Sequence, residues 1–110
     1  MPRPKIPRWV SAYPSMKAFN PNGVEATGEI DLPVEGMEAI RLSDFEGLDQ
    51  EAAARLMGVS RQTYGRILAE ARHIIATALV TGKMLRIAGG TYARRGRGGR
   101  RRRRRGGRSE

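Results

Sequence analysis

Apolar residues recur at helical spacing through the centre of the chain, and this pattern predicts three helices. The first is expected at 33–47, with Asp31 as its cap, and the second at 49–57, with Asp49 as its N-cap. The third is expected at 61–80. The predicted apolar faces are Met37, Ile40, Leu42, Phe45 and Leu48 on the first helix, Ala53, Leu56 and Met57 on the second, and Tyr64, Ile67, Leu68, Ala71, Ile74, Ile75, Ala78 and Leu79 on the third.

The second and third predicted helices are separated by only three residues, "GVS" at 58–60. Gly58 can adopt the left-handed conformation that ends a helix. Val59 is expected to point into the core, and Ser60 is expected to cap the next helix. The junction is therefore predicted to be a tight turn between two helices.

The flanking segments lack helical periodicity. Five of the six prolines lie in 1–30, which predicts an extended arm. Short strands are expected at 8–13 and 28–32, on either side of a turn at 20–23. A further strand is expected in 83–90, where it could pair with an N-terminal strand. The predicted organisation is an arm at 1–30, a domain at 31–92 and a disordered Arg/Gly-rich tail at 93–110.

Charge is concentrated at one end of the chain. The net charge is +10, and residues 94–110 contribute ten arginines and one glutamate. Residues 1–93 have a net charge of +1, and residues 31–80 have eight acids and five arginines. This asymmetry favours nucleic acid or another polyanion as a partner, with the tail supplying most of the attraction.

Several classes of protein are disfavoured by the composition. The chain has no cysteine and one histidine, His73, so we expect neither a disulfide framework nor a metal site. No nucleophile–base pair or phosphate loop is visible, and we expect neither an enzyme nor a cofactor. The sequence also lacks a signal core and an apolar run near the length of about 18 residues that spans a bilayer, which predicts a cytoplasmic, nucleoid-associated protein. His73 is expected on a helix surface, and Glu35, Glu38, Asp44 and Glu46 on a solvated face.

The central segment "LPVEGMEAIRLSDFEGLDQEAAARLMGVSRQTYGRILAEARHIIATAL" resembles the region-four helix-turn-helix of bacterial sigma factors. Nearly all of 1–90 resembles more closely a small prokaryotic family of predicted DNA-binding proteins of unknown function. The blocks "MPRPK", "EAIRLSDFEGL", "QEAAARLMGVSRQTYGRIL" and "GKMLRIAGG" carry this resemblance. It implies a mainly α fold, a sigma-region-four-like helix-turn-helix of three helices with short flanking strands. Some relatives carry a second domain similar to nitrogenase-cofactor-binding proteins. This chain has its arginine tail in the place of that domain.

The resemblance implies that the helix at 61–80 enters the major groove of DNA. Arg61 and Arg66 can then pair with guanine, and Gln62 with adenine. Ser60 can hold a phosphate together with the free backbone amides at the start of the helix that follows it. Gly65 would let the helix lie close to the DNA backbone. The residues expected to face DNA are Ser60, Arg61, Gln62, Gly65, Arg66 and Ala69.

Each of these residues also has a purely structural interpretation. Ser60 can be a helix cap only, and Arg61 and Arg66 can be solvated surface arginines. Gly65 can reflect crowding against the first helix. Tyr64 is expected in the core, with its hydroxyl reaching solvent or a phosphate.

The leading hypothesis is a sequence-specific DNA-binding transcriptional regulator that acts as a homodimer on double-stranded DNA. One alternative is an adaptor that contacts RNA polymerase through the acidic face of the first helix. Another is a non-specific architectural protein that binds DNA or RNA through its tail. A membrane partner is not expected. Because the core is acidic, auxiliary phosphate contacts are expected from Arg3, Lys5, Arg8, Lys83, Arg86, Arg101 and Arg103.

Overall fold

The computed structural model describes residues 7–94, which fold into three helices and five short strands. The expected set of three helices with short flanking strands is therefore confirmed. The elements in chain order are β1 (Arg8–Val10), β2 (Ala18–Phe19), β3 (Glu29–Leu32), α1 (Val34–Ile40), α2 (Gln50–Met57), α3 (Arg61–Thr81), β4 (Met84–Ile87) and β5 (Tyr92–Arg94).

Helix α1 begins without a side-chain cap. Pro33 occupies the N-cap position, and its fixed φ suits the entry to a helix. The expected cap at Asp31 is wrong, because this residue lies in β3 and its carboxylate accepts a hydrogen bond from Arg86. The helix continues into a π-helical turn, Arg41–Phe45, and the chain then reverses at Gly47, where φ is +78°.

The caps predicted around α2 and α3 are confirmed. The Asp49 carboxylate accepts a hydrogen bond from the Ala52 amide at 2.8 Å, and Gly58 ends α2 with φ +68°. The Ser60 hydroxyl oxygen accepts a hydrogen bond from the Thr63 amide at 3.0 Å. These caps satisfy backbone groups at the helix ends, and so they fix the junction between the two helices locally.

Helix α3 is 21 residues long, about 31 Å at the usual rise per residue, and ends at Gly82 with φ +77°. Its first half packs in one apolar cluster with α1 and α2, and its second half packs in another with the strands. The first cluster comprises Ala39, Leu42, Ala53, Ala54, Met57, Tyr64 and Leu68, and the second comprises Val10, Leu32, Val34, Ala71 and Ile87.

Gly36 lies in α1 where this helix packs closely against α3. A β-carbon at Gly36 would come within 3.2 Å of the Ala71 Cβ and 3.1 Å of the Leu32 Cδ1. A larger residue would force these neighbours to shift by a few tenths of an ångström, so glycine fits this contact despite its low intrinsic helix propensity.

The strands form two small sheets. Strand β4 pairs antiparallel with β2 and parallel with β3, which confirms the expected pairing of the 83–90 segment with the N-terminal arm. Strand β1 pairs in parallel with β5, with Arg8 opposite Tyr92. Because β5 includes Ala93 and Arg94, regular structure continues two residues beyond the expected start of the tail. The remainder of that tail lies outside the described residues.

Three residues expected in the core are exposed instead. Phe45 is 80% exposed and Leu79 is 79% exposed, whereas Leu56 is exposed to a smaller extent. Phe45 lies in the π-helical turn, where the extra residue moves its side chain away from the position that α-helical spacing predicts. Leu79 lies in the last turn of α3, near the edge of the second cluster.

Candidate nucleic-acid interface

The six residues predicted to face DNA lie at the start of α3 and along its first two turns. Five of them are exposed, and Gly65 is half-buried. The exposed residues are Ser60, Arg61, Gln62, Arg66 and Ala69. Their exposure is what a contact surface requires, although it is also typical of a solvated helix face.

The role of Ser60 as a cap is confirmed. Its hydroxyl accepts from the Thr63 amide and donates to the Thr63 Oγ1, both at 3.0 Å. The first intrahelical bond runs from the Tyr64 amide to the Ser60 carbonyl, at 2.9 Å. The amides of Arg61 and Gln62 precede this bond, and by helix geometry they have no partner within α3. They lie at the positive end of the helix dipole and are suited to an anion.

Arg61 and Arg66 differ from Arg41, Arg72 and Arg86 in the partners they have. Among residues 7–94, the salt bridges engage Arg41, Arg72 and Arg86, and none engages Arg61 or Arg66. A guanidinium has five donors in a fixed planar arrangement. Since no carboxylate of the described part occupies those of Arg61 and Arg66, both side chains can bind an external acceptor.

The paired arginines instead connect parts of the fold. Arg72 binds Asp44 at 2.7 Å and joins α3 to the π-helical turn. This hydrogen-bonded pair lowers the pKa of Asp44 and raises the pKa of Arg72. Arg41 binds Glu38 and Glu46, and its pKa is raised chiefly by the hydrogen bond to Glu38.

Arg66 shares a cleft with Arg8, which lies 58 residues earlier in the chain. The cleft has a volume of about 350 Å³ and runs between α3 and the segment that leads into β5. Pairing of β1 with β5 brings Arg8 to this position. Glu35, Thr63 and Glu70 also line the cleft, so its charge is mixed, with two guanidinium groups and two carboxylates.

Glu35 is buried and holds the segment before β5 against α1. Both of its carboxylate oxygens accept a hydrogen bond from the Thr91 amide, at 3.1 Å. The carboxylate lies so close to Gly90, where φ is +102°, that a β-carbon there would collide with it. The expectation of a solvated acidic face is therefore wrong for Glu35, because the carboxylate has an internal donor and a structural role.

The same expectation is wrong for Glu38, which is also buried. Its carboxylate accepts hydrogen bonds from the Ser11 amide at 3.2 Å and the Ser11 hydroxyl at 2.8 Å. Arg41 supplies two further donors. A buried carboxylate is tolerated when donors and an opposite charge replace its hydration, and Glu38 meets both conditions.

Replacing Glu35 by alanine is expected to destabilise the fold by about 1–3 kcal/mol, because the Thr91 amide then lacks its buried acceptor. Unfolding by denaturant, followed by circular dichroism, measures the effect. Glu25 is exposed, so Glu25→Ala is a matched control with the same loss of charge and little expected change. Equal stability of the two variants would contradict an anchoring role for Glu35.

Two other expectations about α3 are corrected. The Tyr64 hydroxyl does not reach solvent; it donates to the Ala39 carbonyl at 3.0 Å and so accepts from the Ser43 hydroxyl at 2.5 Å. Burial raises the pKa of Tyr64. Gly65 faces α2 and not the first helix, since a β-carbon there would lie 3.5 Å from the Gln50 Oε1.

The other cations expected to contact phosphate are less favourably placed. Arg86 is held by Asp31 at 3.0 Å and by Glu29 at 3.2 Å, and the hydrogen bond to Asp31 is the main cause of its raised pKa. Lys83 lies beyond the C-terminal end of α3 and lines a different cavity. The four remaining candidates lie outside the described residues: Arg3, Lys5, Arg101 and Arg103.

The histidine of the chain lies on a helix surface, as expected, because His73 is exposed on α3. Residues 7–94 contain no group of three or more His, Cys, Asp or Glu side chains arranged to bind a metal ion. None of the helices in this range combines the length and apolarity needed to cross a membrane.

Comparison with known proteins shows the family to which this chain belongs. The family model described as "protein of unknown function DUF134" matches residues 1–95, a range that includes every described residue. The chain belongs to this family. A UPF0251 protein of Thermoanaerobacter pseudethanolicus is 50% identical over 94 residues, which cover 84% of this chain and 80% of the relative. A UPF0251 protein of Syntrophobacter fumaroxidans is 51% identical over 92 residues, covering 82% of this chain and 59% of the relative.

No solved structure matches the chain. The match to the family model confirms that the chain belongs to a prokaryotic family of unknown function, as the sequence blocks predicted.

One residue of the interface region was not predicted. Trp9, in β1, lies over the junction between α2 and α3, with its ring about 3.6 Å from the position of a Gly58 β-carbon. It is 42% exposed and is the only tryptophan in the sequence. No local signal reveals this placement, because it depends on the pairing of β1 with β5. Trp9 fluorescence should nevertheless report on changes at the junction.

Proposed function

We propose that this chain is a sequence-specific DNA-binding protein that regulates transcription, with α3 as the helix that enters the major groove. In this proposal α2, the junction and α3 form a helix-turn-helix similar to region four of sigma factors. The protein acts in the cytoplasm, on the nucleoid. Its ligand is double-stranded DNA, and the arginine tail adds affinity that does not depend on sequence.

The observation that carries the proposal is the state of Arg61 and Arg66. Both are exposed on the first two turns of a capped helix, and no carboxylate of the described residues pairs with either. Arginine is the side chain that most often reads guanine, through a bidentate contact in the major groove. Gln62, exposed between them, can contact adenine in the same way.

Arg8 and the N-terminus of α3 can add phosphate contacts to the surface that contains Arg61 and Arg66. Arg8 lines the cleft beside Arg66, so a phosphate held there would fix the position of the helix on DNA. The amides of Arg61 and Gln62 offer a second place for a phosphate. Both contacts position the protein without reading sequence.

A homodimer is part of the proposal, because helix-turn-helix proteins commonly read two half-sites with two copies. Val80, at the end of α3, is 84% exposed and lies beside the exposed Leu79. An exposed aliphatic pair of this kind is suited to a contact between copies.

The alternative hypothesis of an adaptor for RNA polymerase depends on an acidic face of the first helix. Two of its four acids, Glu35 and Glu38, are buried, and Asp44 and Glu46 are both in salt bridges with arginines. This face is therefore a weaker candidate surface than the start of α3. Non-specific binding of DNA or RNA through the tail is compatible with the proposal, since the tail and the helix would contact different parts of the nucleic acid.

Substitution of Arg66 tests the proposal. A preferred site is first selected from random duplexes with the full chain, and affinities are then measured by fluorescence anisotropy. Arg66→Ala is expected to weaken binding to this site by about 1–3 kcal/mol and to relax the preference at one position. Arg72→Ala removes an arginine of the same helix that is paired with Asp44, and it should leave the preference unchanged.

The pattern of the loss decides the role of Arg66. An equal loss on all sequences would make it a phosphate contact and not a reader of bases. If Arg66→Ala behaves like Arg72→Ala on the selected site, α3 does not read the groove in the way proposed.

A further inference from the structure

A second cavity lies at the other end of α3, away from Arg61 and Arg66. It has a volume of about 440 Å³ and is bounded by α1, by the second half of α3 and by the β2–β4–β3 sheet. This volume is in the lower part of the usual range for small-molecule sites, roughly 300–1,000 Å³. The cavity is therefore large enough for a small ligand and is distinct from the cleft beside Arg66.

The lining of this cavity combines apolar walls with one positive charge. Met37, Ile75 and Leu85 are typical of its walls. Among the described residues that line it, Lys83 is the only charged one, and Asn20 has the only other polar side chain. An apolar site with few polar groups fixes the orientation of a ligand through those groups.

Lys83 is half-buried, and its ammonium lies close to Gly28, 3.6 Å from the position of a β-carbon on that glycine. No salt bridge within residues 7–94 includes Lys83. A cation at the wall of an apolar cavity, without an internal carboxylate, is complementary to a ligand that has one anionic end and one apolar end.

We propose that this cavity is a binding site for a small amphiphilic carboxylate, such as an aliphatic acid with a chain of roughly eight carbons. The chain lies between α1 and α3, among side chains such as Met37 and Ile75. The carboxylate accepts hydrogen bonds from the Lys83 ammonium. The same helix carries Ile75 in the cavity wall and Arg66 in the cleft, but the proposal does not depend on DNA binding.

Octanoate is a suitable probe, measured with the full chain by isothermal titration calorimetry in the absence of nucleic acid. We expect one octanoate per chain and weaker binding of octan-1-ol, by about fivefold, because the alcohol forms no ion pair with Lys83. Acetate should not bind at this site, since it lacks the apolar chain. The arginine tail also attracts carboxylates, so the assignment depends on variants that leave the tail intact.

Three variants separate the cavity from the tail. Ala78 is buried in the cavity wall, and Ala78→Phe should abolish octanoate binding by filling the space. Lys83→Met should reduce octanoate affinity by about fivefold and leave octan-1-ol unchanged. Lys17→Met removes an exposed lysine outside the cavity and should change neither. Because Lys83 is not a core residue, its variant keeps the test valid if Ala78→Phe does not fold.

Specific results would overturn the proposal. Octanoate binding that survives in Lys83→Met, with affinity equal to that of the unchanged chain, would show that the carboxylate does not pair with Lys83. Absence of octanoate binding would show that the cavity takes no such ligand. Leu79, which belongs to the proposed contact between copies, also lines this cavity. A dimer detected by sedimentation that does not bind octanoate would therefore mean that a second copy of the chain occupies this surface.

Discussion

Replacing Tyr64 by alanine is expected to destabilise the fold by about 3–5 kcal/mol, as removal of a large buried aromatic side chain usually does. Tyr64 is fully buried at the centre of the cluster that joins α1, α2 and α3. Small domains have a free energy of unfolding of only about 5–15 kcal/mol, so the variant should lose a large part of its stability. Thermal and urea unfolding, followed by circular dichroism, measure the effect.

A conservative variant distinguishes the contribution of the Tyr64 ring to stability from that of its hydroxyl. Tyr64→Phe retains the apolar contacts but removes the donor to the Ala39 carbonyl and the acceptor for Ser43. The expected cost is about 1–3 kcal/mol, because the Ala39 carbonyl and the half-buried Ser43 hydroxyl each lose a hydrogen bond. If Tyr64→Ala unfolds at the same denaturant concentration as the unchanged chain, this cluster does not hold the three helices together.

The boundaries of α2 and α3 were predictable because their chemistry is local. Asp49 and Ser60 cap helices by accepting hydrogen bonds from amides three residues ahead, and Gly58 and Gly82 end helices by their own backbone freedom. Each signal lies within a few residues of the structure it specifies. The same is true of the turn containing Gly23, which has φ +89°.

The buried acids could not be predicted, because their partners are distant in sequence. Glu35 binds the backbone of a residue 56 positions later, and Glu38 binds Ser11, 27 positions earlier. At the level of sequence, both resemble Asp44 and Glu46, which are exposed. A charge pattern reveals a solvated face only when no other segment folds over it.

Two glycines within helices lie at contacts between elements. Gly36 lies against Ala71 of α3, and Gly65 lies beside Gln50 of α2. Apolar spacing identifies which side of a helix is buried, but it does not give the distance to the neighbouring helix. The low helix propensity of glycine is visible in the sequence, whereas the packing around these two positions is not.

The candidate interface was predictable only in part. The exposure of Arg61, Gln62 and Arg66 followed from the helical period and the position of the Ser60 cap. The approach of Arg8 to Arg66 depends on a parallel pairing between two three-residue strands at opposite ends of the described chain. Strands this short carry almost no sequence signal, and their register was therefore not predictable.

Removing residues 95–110 is expected to weaken binding to random DNA by on the order of a hundredfold at low salt, and to reduce discrimination for a selected site much less. This segment contains nine arginines and one glutamate, a net charge of +8, whereas residues 31–80 have a net charge of −3. The truncation is placed after Arg94 so that β5, and its pairing with Arg8 and Trp9, is retained.

The salt dependence of DNA affinity tests the role of the tail more directly than the affinity at one salt concentration. The slope of log affinity against log salt should flatten by about 0.9 for each phosphate that the tail no longer neutralises. A full-length control in which the nine arginines are replaced by glutamine should flatten in the same way, which separates charge from length. Thermal stability should be unchanged in both. An unchanged slope would mean that the tail does not bind nucleic acid, and a selective decrease in discrimination would mean that the tail reads the site together with α3.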